Sequence, residues 1–140
     1  MSRIQLKFPE QIQFKTMVPL RITDFNYGNH LGNDSMLSVI HEVRMQYFNH
    51  IGCTELDFFG SAIIMTDVAI VYKAEGFYGD ELNFEVSVAD VNKYGFDLYY
   101  KASKTVSQKT ICEAKTGIVC FDYKSHKIQE LPVAFVKKLI

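Results

Sequence analysis

The chain has 140 residues, 48% hydrophobic and 22% charged, a size and balance that predict a single domain over residues 1–140 with one ordinary core. Fifteen basic residues against sixteen acidic ones give a formal net charge of -1, and Lys101, Lys104 and Lys109 are spread along one strand-like region, so nucleic acid is a poor first partner. The longest apolar runs, Ala62 to Met65 and Val68 to Tyr72, are separated by Thr66 and Asp67 and fall far short of the ~20 residues that cross a bilayer, so no membrane association is expected.

The opening stretch, MSRIQLKFPEQIQF, alternates polar and apolar residues and has no apolar run followed by a small-residue cleavage site. Cys53, Cys112 and Cys120 are odd in number and lack CxxC spacing, which fits reduced thiols serving as core filler. Both features point to a cytoplasmic protein.

From Gln11 to Ile22 the pattern alternates, with Ile12, Phe14 and Val18 among polar neighbours, as in a half-buried strand bent near Pro19. Residues 24 to 34, DFNYGNHLGND, collect glycines and asparagines that tolerate unusual backbone dihedrals and form a shaped loop. Asn33 is the predicted N-cap of a helix on which Met36, Ile40, Val43 and Tyr47 recur at i, i+4, i+7 and i+11, with Gly52 as its stop. The helix should run for roughly 17 residues.

The remainder reads as strands at Ala62 to Ala74, Glu81 to Val91, Phe96 to Thr105, Thr110 to Asp122 and a short piece at Lys127 to Glu130, separated by turn clusters. One strand, one long helix, then four or five consecutive strands on short connections predict an α+β fold: an antiparallel sheet of five or six strands around one long central helix. Phe77, Tyr78, Tyr99 and Tyr100 add aromatic bulk that a single helix cannot cover, and self-association is the natural remedy.

The segment RITDFNYGNHLGNDSMLSVIHEVR resembles the first motif of the 4-hydroxybenzoyl-CoA thioesterase-like hotdog family, roughly R-x-x-D-x-D-x-x-G-H-V-N-N before a helix ending in E-x-x-R or E-x-R. VAIVYKAEGFYGDEL is similar to that family's long strand and G-D-x-L turn, and EAKTGIVCFDYKSHKIQELP to its final strands. The resemblance covers about residues 15 to 133. It implies the hotdog fold, a homodimer with a continuous sheet, often paired into a homotetramer, and acyl-CoA or acyl-carrier thioesters as substrates in a channel between subunits. No metal and no organic cofactor is implied, coenzyme A being part of the substrate.

Thioester hydrolysis needs an activated water or a carboxylate, and donors for the oxyanion that grows on the carbonyl. If Gly32, Asn33 and Asp34 open the helix, their backbone N–H groups and the positive end of the helix dipole supply such donors. Asn26 stands where the family motif usually carries its second, catalytic Asp. An asparagine is no base at neutral pH, although its amide can hold a water or donate to the thioester carbonyl.

His30 is the leading candidate for the base, because its ordinary pKa near ~6.5 suits proton transfer and the resemblance places a histidine here in plant-type acyl-carrier thioesterases of the same fold. Its bland alternative is bracing the loop through backbone bonds. Asp34 either orients His30 or activates water, or is an ordinary first-turn acid favoured by the helix dipole.

Asp24 matches the first, more structural Asp of the motif, and Asp67, an acid in an apolar run, needs a partner and could reach a neighbouring subunit's channel. Tyr72, with Tyr47 and Met65, has the character of an acyl-pocket residue or of simple core. Glu42 and Arg44 match the motif's acidic-then-Arg ending and should form surface or inter-strand ion pairs.

His41-Glu42 begins like HExxH, but Met45 stands in the second histidine's place, and neither GxGxxG nor GxSxG occurs. Two other functions share the expected site. Hydratases of the same broad fold carry D-x-N-P-x-H, to which DFNYGNH is close but one residue too long and without the proline. A pocket lacking its catalytic Asp could also bind an acyl-CoA without cleaving it.

Overall fold

A computed structural model describes residues 3–28 and 31–140. The chain forms β1 (Phe14–Pro19), a 3-10 turn (Ile22–Asp24), α1 (Asn33–Ile51), β2 (Ala62–Tyr72), β3 (Glu81–Ala89), β4 (Gly95–Lys104), β5 (Thr110–Asp122), β6 (Lys127–Ile128) and α2 (Val133–Lys137). The sheet order is β1-β3-β4-β5-β2, with β6 paired to β5 and each pairing antiparallel. A long helix against one antiparallel sheet is the architecture expected from the element order.

The strands alternate, and the pairing register lines up their apolar positions. Val86, Tyr100, Ala114 and Ile70 are cross-strand neighbours, and so are Phe96, Ile118 and Met65. These residues face α1, which buries Met36, Val39, Ile40, Val43, Tyr47 and Phe48 against them. The opposite face carries the intervening polar residues, including Lys15, Glu85, Lys101 and Glu113 in one cross-strand row.

The observed boundaries differ from the sequence reading for local reasons. The first strand ends at Pro19 and passes into the 3-10 turn, although Gln13 N still donates to Val86 O at 2.8 Å. The second strand stops at Tyr72 because the N–H groups of Lys73 and Ala74 both turn onto Ile111 O. Asp90, at φ +52, takes β3 out of the ladder before Val91. The helix N-cap is Gly32 rather than Asn33, and Gly52 at φ +88 ends the helix as expected.

Thr66 and Asp67 interrupt the apolar run because they form a bulge, with the register shifting between Met65 and Asp67 opposite Gly117. A Cβ on Gly117 would meet the Asp67 carboxylate and the Thr66 hydroxyl, so a larger residue there would push those side-chain ends aside. α2 is absent from the sequence reading. It follows Pro132 and buries Phe135 completely, its ring stacked at 4.3 Å on Phe96 and tilted at 5.0 Å against Phe58.

All three cysteines are buried free thiols. Burial pushes Cys53 and Cys112 up to about 12 and Cys120 up to about 11, which removes the thiolate needed for nucleophilic chemistry. Among the described residues no helix is long and apolar enough to cross a membrane.

Candidate functional site

The loop before α1 is held by Asp24. Its carboxylate accepts Arg21 N at 2.7 Å and Arg21 Nη2 at 3.4 Å, and its carbonyl accepts Gly32 N at 3.2 Å. Asp24 is buried at 4% exposure, so its acid organises the turn instead of standing open to a ligand. The Gly32 N–H, expected among the oxyanion donors, is therefore already occupied.

The next three N–H groups, of Asn33, Asp34 and Ser35, lie in the first turn, where a helix offers no internal acceptor, and the N-cap glycine has no side chain to cap them. Among the described residues they meet no acceptor, at the positive end of a helix of nineteen residues. Asn26, Asp34 and Ser35 converge on this point: a Cβ placed on Gly32 would lie 3.0 Å from Asp34 Oδ1, 3.5 Å from Ser35 Oγ and 3.7 Å from Asn26 Cβ. A side chain at position 32 would fill the space between them. Ser35 is absent from the sequence reading, and its place in the first turn after the glycine is the only signal that could have raised it.

Asn26 is exposed, and its Oδ1 accepts Gly28 N at 2.9 Å in a two-residue side-chain turn. That bond orients the amide and leaves Nδ2 as a donor. His30 lies outside the described residues.

Tyr72 reaches the same junction from β2, its hydroxyl donating to Asn33 O at 2.8 Å. Burial, the Cys112 thiol and the Asp34 carboxylate raise its pKa, in that order, so the phenol stays protonated as a donor. Leu31, Asn33, Tyr72, Lys73, Ala74 and Glu75 line a cavity of about 310 Å3 beside the first turn. Leu31 N donates to Gly76 O at 2.9 Å, tying the loop to the connection between β2 and β3.

Asp67 does not join this junction within one chain. It sits on the sheet face away from α1, with its carboxylate 2.8 Å from Lys115 Nζ, and that bond lowers its pKa. Lys115 is the partner an acid in an apolar run requires. Arg44 also departs from expectation: it is buried at 5% exposure, with Nε 3.3 Å from Glu55 Oε2 and Nη1 3.4 Å from Tyr100 Oη. Glu42 stays exposed and accepts Gln46 Nε2 at 2.7 Å. Tyr47 is core, its hydroxyl buried without a partner among the described residues.

A larger depression of about 650 Å3 lies on the outer face of the sheet among Lys15, Glu85, Lys101 and Ser103. Size alone does not make it the site, since Lys15 and Lys101 flank Glu85 as cross-strand neighbours and Lys104 is paired with Asp80 at 3.1 Å.

The fold is that of known hotdog proteins. A 1,4-dihydroxy-2-naphthoyl-CoA thioesterase from Synechocystis superposes with a TM-score of 0.82 at 18% identity over 90% of this chain and 94% of its own. A thioesterase from Thermus thermophilus complexed with coenzyme A and Zn gives 0.77 at 17% identity over 93% of each chain. A Staphylococcus aureus protein in complex with CoA gives 0.80 at 11% identity over 96% of this chain and 85% of its own. A search of the sequence against curated proteins gave no match. The family model of the thioesterase-like superfamily matches residues 20–139, a span that takes in the glycine-flanked loop, the uncapped helix start and the whole sheet after β1, and on that match the chain belongs to the thioesterase-like superfamily.

Proposed function

We propose that the chain is an acyl-CoA thioesterase that releases free acid and CoA from an acyl thioester held at the N-terminus of α1. The observation that carries this reading is the convergence of Asn26, Asp34 and Ser35 on Gly32, at the N-terminus of α1. The thioester carbonyl accepts from the N–H groups of Asn33 to Ser35 and from Asn26 Nδ2, so charge that develops on its oxygen meets preorganised donors. Asp34 takes a proton from water as the water oxygen attacks the carbonyl carbon. The C–S bond then breaks, and the proton returns to the leaving CoA sulfur. His30, next to the same glycine loop, is the other group able to carry that proton. Tyr72 binds on the substrate side by fixing the Asn33 carbonyl, and Asp67 bears on a neighbouring subunit's channel.

The working unit in this reading is a homodimer, paired further into a homotetramer. β2 supports it, because an eleven-residue edge strand with Val68 and Tyr72 exposed is poorly suited to stand alone. Acyl-CoA or acyl-carrier thioesters are the substrates, no cofactor beyond the substrate's own coenzyme A is needed, and the protein works in the cytoplasm.

The test is release of free thiol from a panel of short, medium, long and aromatic acyl-CoA esters, with Asn26→Ala, His30→Ala and Asp34→Asn run in parallel. Asp34→Asn should lower kcat on the order of 10²- to 10⁴-fold, the usual contribution of a general base. Turnover that survives all three substitutions would remove the site, and no release from any ester would remove the hydrolase.

A further inference from the structure

The side of α1 turned toward β2 carries Leu37, Ser38, Ile40, His41 and Arg44, and with Met65, Val68 and Thr116 they line a groove of about 270 Å3. Most of its walls are apolar, but Arg44 and Thr116 are both buried and polar. Arg44 Nη1 donates to Tyr100 Oη at 3.4 Å, and Tyr100 Oη lies 2.9 Å from Thr116 Oγ1. The guanidinium is also held by Glu55 Oε2 at 3.3 Å, while Glu55 Oε1 is 2.6 Å from His41 Nε2. Such a chain is costly among Leu98, Ala114 and Ile118 unless its groups are satisfied.

Counting donors shows where it is incomplete. Tyr100 Oη accepts from Arg44 and shares one hydrogen bond with Thr116 Oγ1 in which either hydroxyl can donate, so the pair holds two protons and uses one between them. Of the two, Thr116 lines the groove, and with Tyr100 as the donor its hydroxyl proton is the one left over for a bound acceptor. An acceptor oxygen on a bound group would take that proton. A carboxylate fits poorly, because Glu55 already neutralises Arg44 and a second anion beside it is repelled. A neutral hydroxyl or keto oxygen fits.

Length follows from the helix. Asn33 and Arg44 are eleven residues apart, about 16 Å at ~1.5 Å per residue, which an extended chain of on the order of twelve carbons spans. The groove has room for roughly nine non-hydrogen atoms at ~30 Å3 each, the distal part of such a chain once the first helical turn is passed.

We propose that this groove receives the acyl chain, and that Arg44, Tyr100 and Thr116 select medium-length acyl groups carrying a neutral hydroxyl or keto oxygen at the far end. The assignment rests on the thioester being held at the start of α1. Affinity of the full chain for ω-hydroxydodecanoyl-CoA, dodecanoyl-CoA and the mono-CoA ester of dodecanedioic acid, read by calorimetry, tests it beside thiol release from the same esters. The hydroxy ester should bind roughly 3- to 10-fold tighter than the unsubstituted one, the range one hydrogen bond supplies. The diacid ester should bind more weakly than the hydroxy ester.

Thr116→Val, which keeps the side-chain shape, should erase the difference, and Tyr100→Phe should reduce it through the same chain. Equal affinities, tightest binding of the diacid ester, or a preference that survives Thr116→Val would each overturn the assignment. A preference without thiol release would sink the hydrolase and leave the groove assigned, whereas release without a preference would sink the groove alone.

Discussion

The two ends of α1 are finished in opposite ways. At its C-terminus Phe48 and Ile51 are buried, Gly52 turns the chain, and Cys53 N returns to Phe48 O at 2.9 Å. Just beyond, Phe58 packs on Phe48, Phe96 and Phe135, so this end is fixed by ring against ring. At the N-terminus the helix opens on a glycine, without a side-chain cap, and Asp34 is exposed. Tyr72 and Asp24 brace it through backbone carbonyl and N–H bonds. Buried packing is concentrated at one end of the element, while the other end opens at the candidate site.

That contrast breaks first at Phe135. Phe135→Ala opens the aromatic cluster and should cost about 3–5 kcal/mol in denaturant unfolding, with turnover per folded molecule little changed, since the site lies at the far end of α1. Equal losses of stability and turnover would show that the two ends are not separable.

Tyr72→Phe sharpens the comparison from the other side. Removing the bond to Asn33 O should cost only about 0.5–1.5 kcal/mol of stability, yet lower kcat more than it changes KM, because the first turn loses its tether. An unchanged kcat would leave Tyr72 a purely structural brace.

The smallest effect concerns the thiols. Unfolded cysteines ionise near 9.0, whereas burial holds Cys53 and Cys112 near 12 and Cys120 near 11. A group whose folded pKa is raised contributes stability that is fully present below the unfolded value and is lost as pH rises toward the folded one, so stability should decline between about pH 9 and 12. Titration with a thiol reagent at pH 8 should find no reactive cysteine in the native protein and three after denaturation. A fast-reacting native thiol would contradict the burial.

Much of this molecule was legible in the sequence. The spacing of Met36, Ile40, Val43 and Tyr47 placed the long helix, Gly52 ended it, and the alternation from Thr110 to Asp122 gave β5 its observed bounds, because helical and strand periods leave different marks on the chain. The loop over residues 24 to 34 stood out for a local reason, because glycines and short polar side chains gather where the backbone must turn tightly before a helix, whereas Asn26 was singled out within it by the resemblance to the family motif.

Local pattern by itself determined the order of elements, the antiparallel class and the position of the candidate loop. Only the tertiary structure decided that the Gly32 N–H is spent on Asp24, that Asp67 turns to Lys115 on the outer face, that Arg44 is buried with Tyr100 and Thr116, and that Phe135 closes the far end of the core. Each depends on partners many positions away or on a side chain's choice of face. Those are settled by register across the sheet, and a one-dimensional pattern carries no record of which strand lies beside which.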